Sequence, residues 1–137
     1  MSRPLRIAHV VRSLERGGLE NGVVNLVNGL RPGLEHVVVC TGQTGPLARR
    51  LPPEVQVVAL GVQGRDHSML LRLASLFRRL KPDVVHSRNW PAIEAIPAAW
   101  LARVPVILHG EHGREAADPD GRNRKRNRLR RLFSPLL

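Results

Sequence analysis

Three short stretches of this sequence set polar side chains directly after apolar runs: Gly17-Gly18, His86-Ser87-Arg88-Asn89-Trp90 and His109-Gly110-Glu111-His112-Gly113. Paired glycines ahead of an amphipathic run let backbone N–H groups approach a ligand. A helix N-terminus at the same point favours an anion such as a pyrophosphate. A tight turn that needs positive φ accounts for the pair equally well. A neutral imidazole at His109 or His112 can hydrogen-bond a ligand hydroxyl, and Glu111 between them can accept such a bond. His86, Arg88 and Asn89 have the chemistry to hold a second ligand. Against that stand a helix cap for Asn89 and a solvated charge for Arg88. Trp90 and Trp100 read as core packing rather than ligand platforms, and Asp118-Pro119-Asp120-Gly121 reads as a turn.

Several chemistries lose ground on the same residues. A dinucleotide fingerprint would need glycine where Leu19 stands and an acid closing the second strand, where Cys40-Thr41-Gly42 is found. The phosphate-binding P-loop pattern is absent too. His109 and His112 have no second ligand pair to complete a zinc site, and Cys40 is the only cysteine. We therefore expect no metal and no resident cofactor, and we read Cys40, inside Val37-Val38-Val39-Cys40, as a buried hydrophobe.

The elements that must position these residues alternate in kind. Leu5–Val11, His36–Thr41, Val55–Leu60, Asp83–Ser87 and Val104–His109 read as strands. Leu19, Val23, Leu26, Val27 and Leu30 recur at helical spacing and stop at Pro32-Gly33. A short helix is expected over Gly45–Leu51. A clearer one carries Leu70, Leu73, Phe77 and Leu80 on one face, capped by Asp66 or Ser68 and stopped by Pro82. Asn89 and Pro91 would open a nearly all-apolar helix reaching Ala102, kinked at Pro97. After a loop from Gly110 to Gly121, residues 122–137 form a basic amphipathic helix with Leu129, Leu132, Phe133 and Leu136 on one stripe. Strand–helix alternation implies an α/β Rossmann-like parallel sheet of five strands, order 3-2-1-4-5, with helices on both faces. In such sheets ligands bind beyond the carboxyl ends of the strands, at the switch in strand order. The three polar stretches all fall there.

The 137 residues fit one domain. The net charge of +11 is largely local: segment 122–137 carries seven basic residues and no acid, leaving +4 for the rest. That segment has one aromatic, Phe133, and no RNA-binding motif, so nucleic acid is not expected as a partner. Charges and prolines interrupt every apolar run, which excludes a membrane span and a signal peptide. The expected location is cytoplasmic. Peripheral contact with an anionic membrane surface through the basic helix is a further expectation.

The residues also resemble a known family. Arg6-Ile-Ala-His-Val-Val-Arg-Ser-Leu-Glu-Arg-Gly-Gly-Leu-Glu20 is similar to the opening strand and glycine loop of family 4 glycosyltransferases of the GT-B fold. Lys81-Pro-Asp-Val-Val-His86 resembles their fourth-strand motif, and Val104-Pro-Val-Ile-Leu-His-Gly-Glu-His-Gly113 their fifth strand with its histidine. Arg114–Leu137 resembles sugar transferases of bacterial exopolysaccharide synthesis. The resemblance implies that residues 1–137 are the N-terminal, acceptor-side domain of a two-domain enzyme, with the C-terminal donor-binding domain absent. It implies retaining transfer of a sugar from a nucleotide-sugar donor to a glycan or lipid-linked acceptor. Gly17 and Gly18 would contact donor phosphate or sugar, and His112, or as second choice His109, would act near the reacting centre. His86, Arg88, Asn89 and Glu111 would be the acceptor-binding candidates. The chain by itself would then be inactive. The alternative is a stand-alone small-ligand or anionic-membrane binding module without catalysis.

Overall fold

The computed structural model describes residues 2–113 and 117–137; Arg114, which opens the stretch likened to exopolysaccharide enzymes, lies outside the described residues. Five parallel strands, β1 (Leu5–Val11), β2 (Leu34–Cys40), β3 (Gln56–Ala59), β4 (Val84–Arg88) and β5 (Val106–Gly110), form one sheet in the order β3-β2-β1-β4-β5. The helices are α1 (Gly18–Gly29), α2 (Met69–Leu80), α3 (Ala95–Leu101) and α4 (Arg124–Phe133), with 3₁₀ turns at Pro46–Arg50, Trp90–Ala92 and Ser134–Leu136. The order reverses between β1 and β4. That places the expected ligand crevice over their carboxyl ends.

Strand alternation assigns the two faces. Ala8, Val10, Val37, Val39, Val85 and Ile107 point to the side covered by α2 and α3, where Leu73, Phe77 and Ile96 complete one core. Val11, Val38 and Cys40 point to the side covered by α1, against Val23, Val24 and Val27. On that second side β5 is uncovered: Val106 and Leu108 are 44% and 47% exposed. Cys40 is buried as expected, and burial pushes its thiol up to about 11.

Asp83 locks the amino-terminal edge of the sheet. Its carboxylate accepts from Arg6 N (2.8 Å) and from both Arg3 nitrogens (2.8 and 2.9 Å), while its own N–H donates to Arg6 O. Lys81, at φ 49°, ends α2 in the left-handed conformation and turns the chain into β4.

Four local expectations are corrected. The long helix from Asn89 is a 3₁₀ turn followed by α3, so Pro97 falls in the first turn of α3 and no kink forms. Ser68 occupies the N-cap of α2 without a side-chain cap bond; the Asp66 carboxylate instead accepts from Ser68 N and Oγ just ahead of the helix. Trp100 is not core: it is 57% exposed. Finally, the helix expected over 122–137 spans only Arg124–Phe133, and Leu136 belongs to the 3₁₀ turn that follows. Phe133 and Leu136 pack on the main core, while Leu132 stays 64% exposed.

Candidate functional site

The glycine loop leaves β1 at Arg12 and is held from below. Gly42 N donates to Arg12 O (2.8 Å), Leu47 N to Leu14 O (3.0 Å), and Leu14 N to Thr44 O. Gly45, at φ 111°, lies against this loop so closely that a Cβ would meet Leu14 C and O at 2.6 Å. Gly17 is the N-cap of α1 and is extended (φ −167°), and Gly18 is not among the positive-φ glycines. The positive-φ account of the pair is thereby overturned. A Cβ on Gly17 would collide with the Glu20 carboxylate, which lies over the helix end, and nothing crowds Gly18 within 4 Å. The open amide edge suits an anion, with Glu20 as the group it would displace.

Asn89 joins the loops after β4 and β5. At φ 60° it caps the 3₁₀ turn with its backbone alone. Its side-chain oxygen accepts from His112 N (2.7 Å) and its N–H donates to Gly110 O (2.9 Å). The cap role expected of its side chain is thus replaced by a clamp on the His112 loop. His112 is exposed, and its ring closes over Gly110: a Cβ there would lie 3.2 Å from His112 Nε2 and 3.8 Å from His86 Nε2. His109 sits one pleat lower. Its Nδ1 is 2.8 Å from Ser87 Oγ, and its buried Nε2 has no hydrogen-bond partner, the Glu111 carboxylate being 3.8 Å away. Burial lowers its basicity, partly offset by Glu111. Glu111 is held by Arg130 Nε at 2.7 Å.

Arg88 is not a solvated charge. It is 6% exposed and lies on the α1 side of β4 among three imidazoles. Its Nη1 donates to His9 Nδ1 (3.3 Å) and its Nη2 to His86 Nδ1 (3.1 Å). Because guanidinium only donates, both imidazoles must accept at Nδ1. His9 therefore carries its proton on Nε2 and donates to His36 Nδ1 (3.0 Å), and His36 Nε2–H points to Leu30 O (3.4 Å). Burial, with the Arg88 charge beside each ring, drives His9 down to about 3 and His86 to about 4. Burial also lowers Arg88 to about 10. Sequence reasoning missed His9 and His36. The signal was available: His9 interrupts the apolar run Ile7–Val11 and His36 adjoins the apolar run Val37–Cys40.

Trp90 packs against the main core, as expected, and also faces the site. Arg126 and Arg130 of α4 stand over its ring, with their Cζ atoms 4.9 and 5.6 Å from the centroid. Trp90 lines a pocket of about 280 Å³ with Asn89, Glu111 and Asp118. It also lines a groove of about 800 Å³ running past Arg12, Thr41, Arg65, Glu94 and Leu129. Asp118 does form the expected turn, with Gly121 N donating to its carbonyl, and it is buried and accepts from Asn123 N. Among the described residues no group of three or more His, Cys, Asp or Glu is placed to hold a metal. No described helix is long and apolar enough to cross a membrane.

With this geometry in place, comparison with known proteins is decisive on one point. The profile of Glycosyltransferase Family 4 matches residues 16–137. The chain belongs to glycosyltransferase family 4. Its fold is similar to that of a glycosyltransferase from Rickettsia africae ESF-5 (TM-score 0.61, 20% identity), covering 91% of this chain and 35% of that one. It is also similar to a UDP-N-acetylglucosamine 2-epimerase (TM-score 0.64, 18% identity), covering 98% of this chain and 40% of that one. The family 4 chain thus spans little more than a third of the length of these solved structures. No curated protein matches it.

Proposed function

We propose that this chain is the acceptor-side half of a sugar transferase that takes its donor, a nucleotide sugar, across a cleft from a second Rossmann-like domain. The observation that carries the reading is the convergence of His86, Arg88, Asn89 and His112 around Gly110, at the carboxyl ends of β4 and β5, in a chain of this family. In the transfer, the bond from the sugar's anomeric carbon to the diphosphate breaks and a bond to an acceptor hydroxyl forms. The acceptor's proton leaves with the diphosphate. Retention of configuration without a resident metal follows the family resemblance. Gly17 and Gly18 offer amides to the donor diphosphate at the α1 N-terminus, where charge builds as it departs. His112, held through its backbone by Asn89, is the group for the sugar near the reacting centre, with His109 as second choice. His109 is less suited because Ser87 and burial already engage it. The 800 Å³ groove beside Trp90 is the space for a glycan or lipid-linked acceptor. A cytoplasmic enzyme, with α4 near an anionic membrane, fits that acceptor class.

The test is sugar transfer by the chain alone and by the chain joined to a donor-binding domain. We expect turnover from a panel of nucleotide sugars only in the joined protein, because half the cleft cannot orient two reactants. Transfer by the chain alone, above a heat-killed control, would overturn the division of labour.

A further inference from the structure

The mechanism just described leaves Arg88 without a task. Among the described residues no carboxylate lies within ion-pair distance of its guanidinium, and its hydrogen-bond partners there are two neutral imidazoles. A guanidinium has five N–H donors, and among the described residues these two rings take two of them. Removing a cation from water without a counter-charge is costly, and arginine cannot avoid the cost by losing its proton at neutral pH. The fold nevertheless holds it in place, through His9 and His36 on one side and His86 on the other. None of these rings adds a negative charge.

Access is built on the same face. Arg88 pairs in register with Gly110 of β5, so the position beside it on that face carries no side chain. The gap is narrow: a Cβ on Gly110 would stand 3.2 Å from His112 Nε2 and 3.8 Å from His86 Nε2, so a ligand enters only as the exposed His112 ring swings aside. His86 accepts from Arg88 at Nδ1, so its Nε2 is a protonated donor facing the gap.

We infer that Arg88, with His86 Nε2–H beside it, binds an oxyanion, a phosphate or carboxylate, carried by the acceptor sugar. This rests on the acceptor-side reading above and narrows it to anionic acceptors. Arg88 supplies the charge and His86 a neutral donor, and the His112 ring over Gly110 moves aside to admit the ligand. His9 and His36 are positioning residues that fix the guanidinium from behind through a chain ending at Leu30 O. The donor's diphosphate has its own place at the α1 N-terminus, so the two anions are held apart.

Imidazole ¹⁵N spectra of the chain at pH 7 test this without catalysis. Inorganic phosphate should move the His86 and His9 nitrogens saturably. Glucose 6-phosphate or glucuronate should do so at lower concentration, and glucose should leave them unmoved. Arg88→Gln should weaken the response about tenfold or more, since a charge-assisted contact is lost. Gly110→Ala should weaken it with Arg88 intact, by filling the gap. Arg131→Gln, on the exposed side of α4, should change it less than about twofold. Equal responses in the wild type, Arg88→Gln and Gly110→Ala would overturn the inference. So would no saturable response in the wild type, or stronger perturbation of His86 by uridine diphosphate than by the sugar anions. A positive result, with no sugar transfer by the chain joined to a donor-binding domain, would leave the anion site standing and remove the transferase reading.

Discussion

At the scale of single residues, the distinction that matters is between histidines that are structural relays and one that is free to meet a ligand. His112 is exposed and, among the described residues, is held by its backbone N–H on Asn89, whereas His109 is buried against Ser87. In a joined, active protein, His112→Ala should lower kcat by about tenfold to a hundredfold with a smaller change in the donor KM, as expected for a contact made mainly in the transition state. Near-normal turnover in that variant with a large loss in His109→Ala would transfer the role. The relay makes a different prediction. His9 is held near 3 and His86 near 4 by burial and by Arg88, against about 6.5 in an unfolded chain. The unfolded state therefore binds protons first as pH falls. Stability is fully present above about 6.5 and is lost through the window down to the folded values. Urea denaturation should show a loss of about 2 kcal/mol or more between pH 7 and pH 5 from His9 alone. A flat profile over those two units would contradict the neutral relay, whose facing groups are Arg88, His36 and His86.

At the scale of elements, the loops are aimed by contacts that local patterns cannot report. Gly45 is the clearest case. Its positive φ and its approach to the Leu14 backbone mean that Gly45→Ala should destabilise the fold by about 1–3 kcal/mol or more in denaturant titration. Gly17→Ala meets only the mobile Glu20 side chain, so it should cost well under about 1 kcal/mol in the same assay while impairing donor binding in a joined protein. Comparable destabilisation by the two would mean the glycine loop is structural. The strands, their order and the α2 stripe were legible because apolar periodicity carries them. The helix from Asn89 was not, since apolar residues at these spacings fit a 3₁₀ turn and a short helix equally well. Arg88 looked solvated because its cage is assembled from β1, β2 and β4, residues up to 79 positions away in sequence. The core packing of Trp90 was legible, but its cover of arginines was not, because they come from α4.

At the scale of the whole molecule, the proposed transfer needs a second wall facing this one. The carboxyl edge of the sheet presents glycine amides, an anchored imidazole and a groove of about 800 Å³, and the similar solved structures are more than twice as long. The account holds that a donor half completes this wall, and that its partner is encoded in continuity with the chain or beside it. The direct test is to determine the coding sequence beyond the Leu137 codon and in the adjoining gene, together with the intact mass of the native product. The account predicts a second α/β, donor-binding domain, either fused to this chain or co-purifying with it. A native product that ends at Leu137, with no donor half encoded alongside, would contradict it.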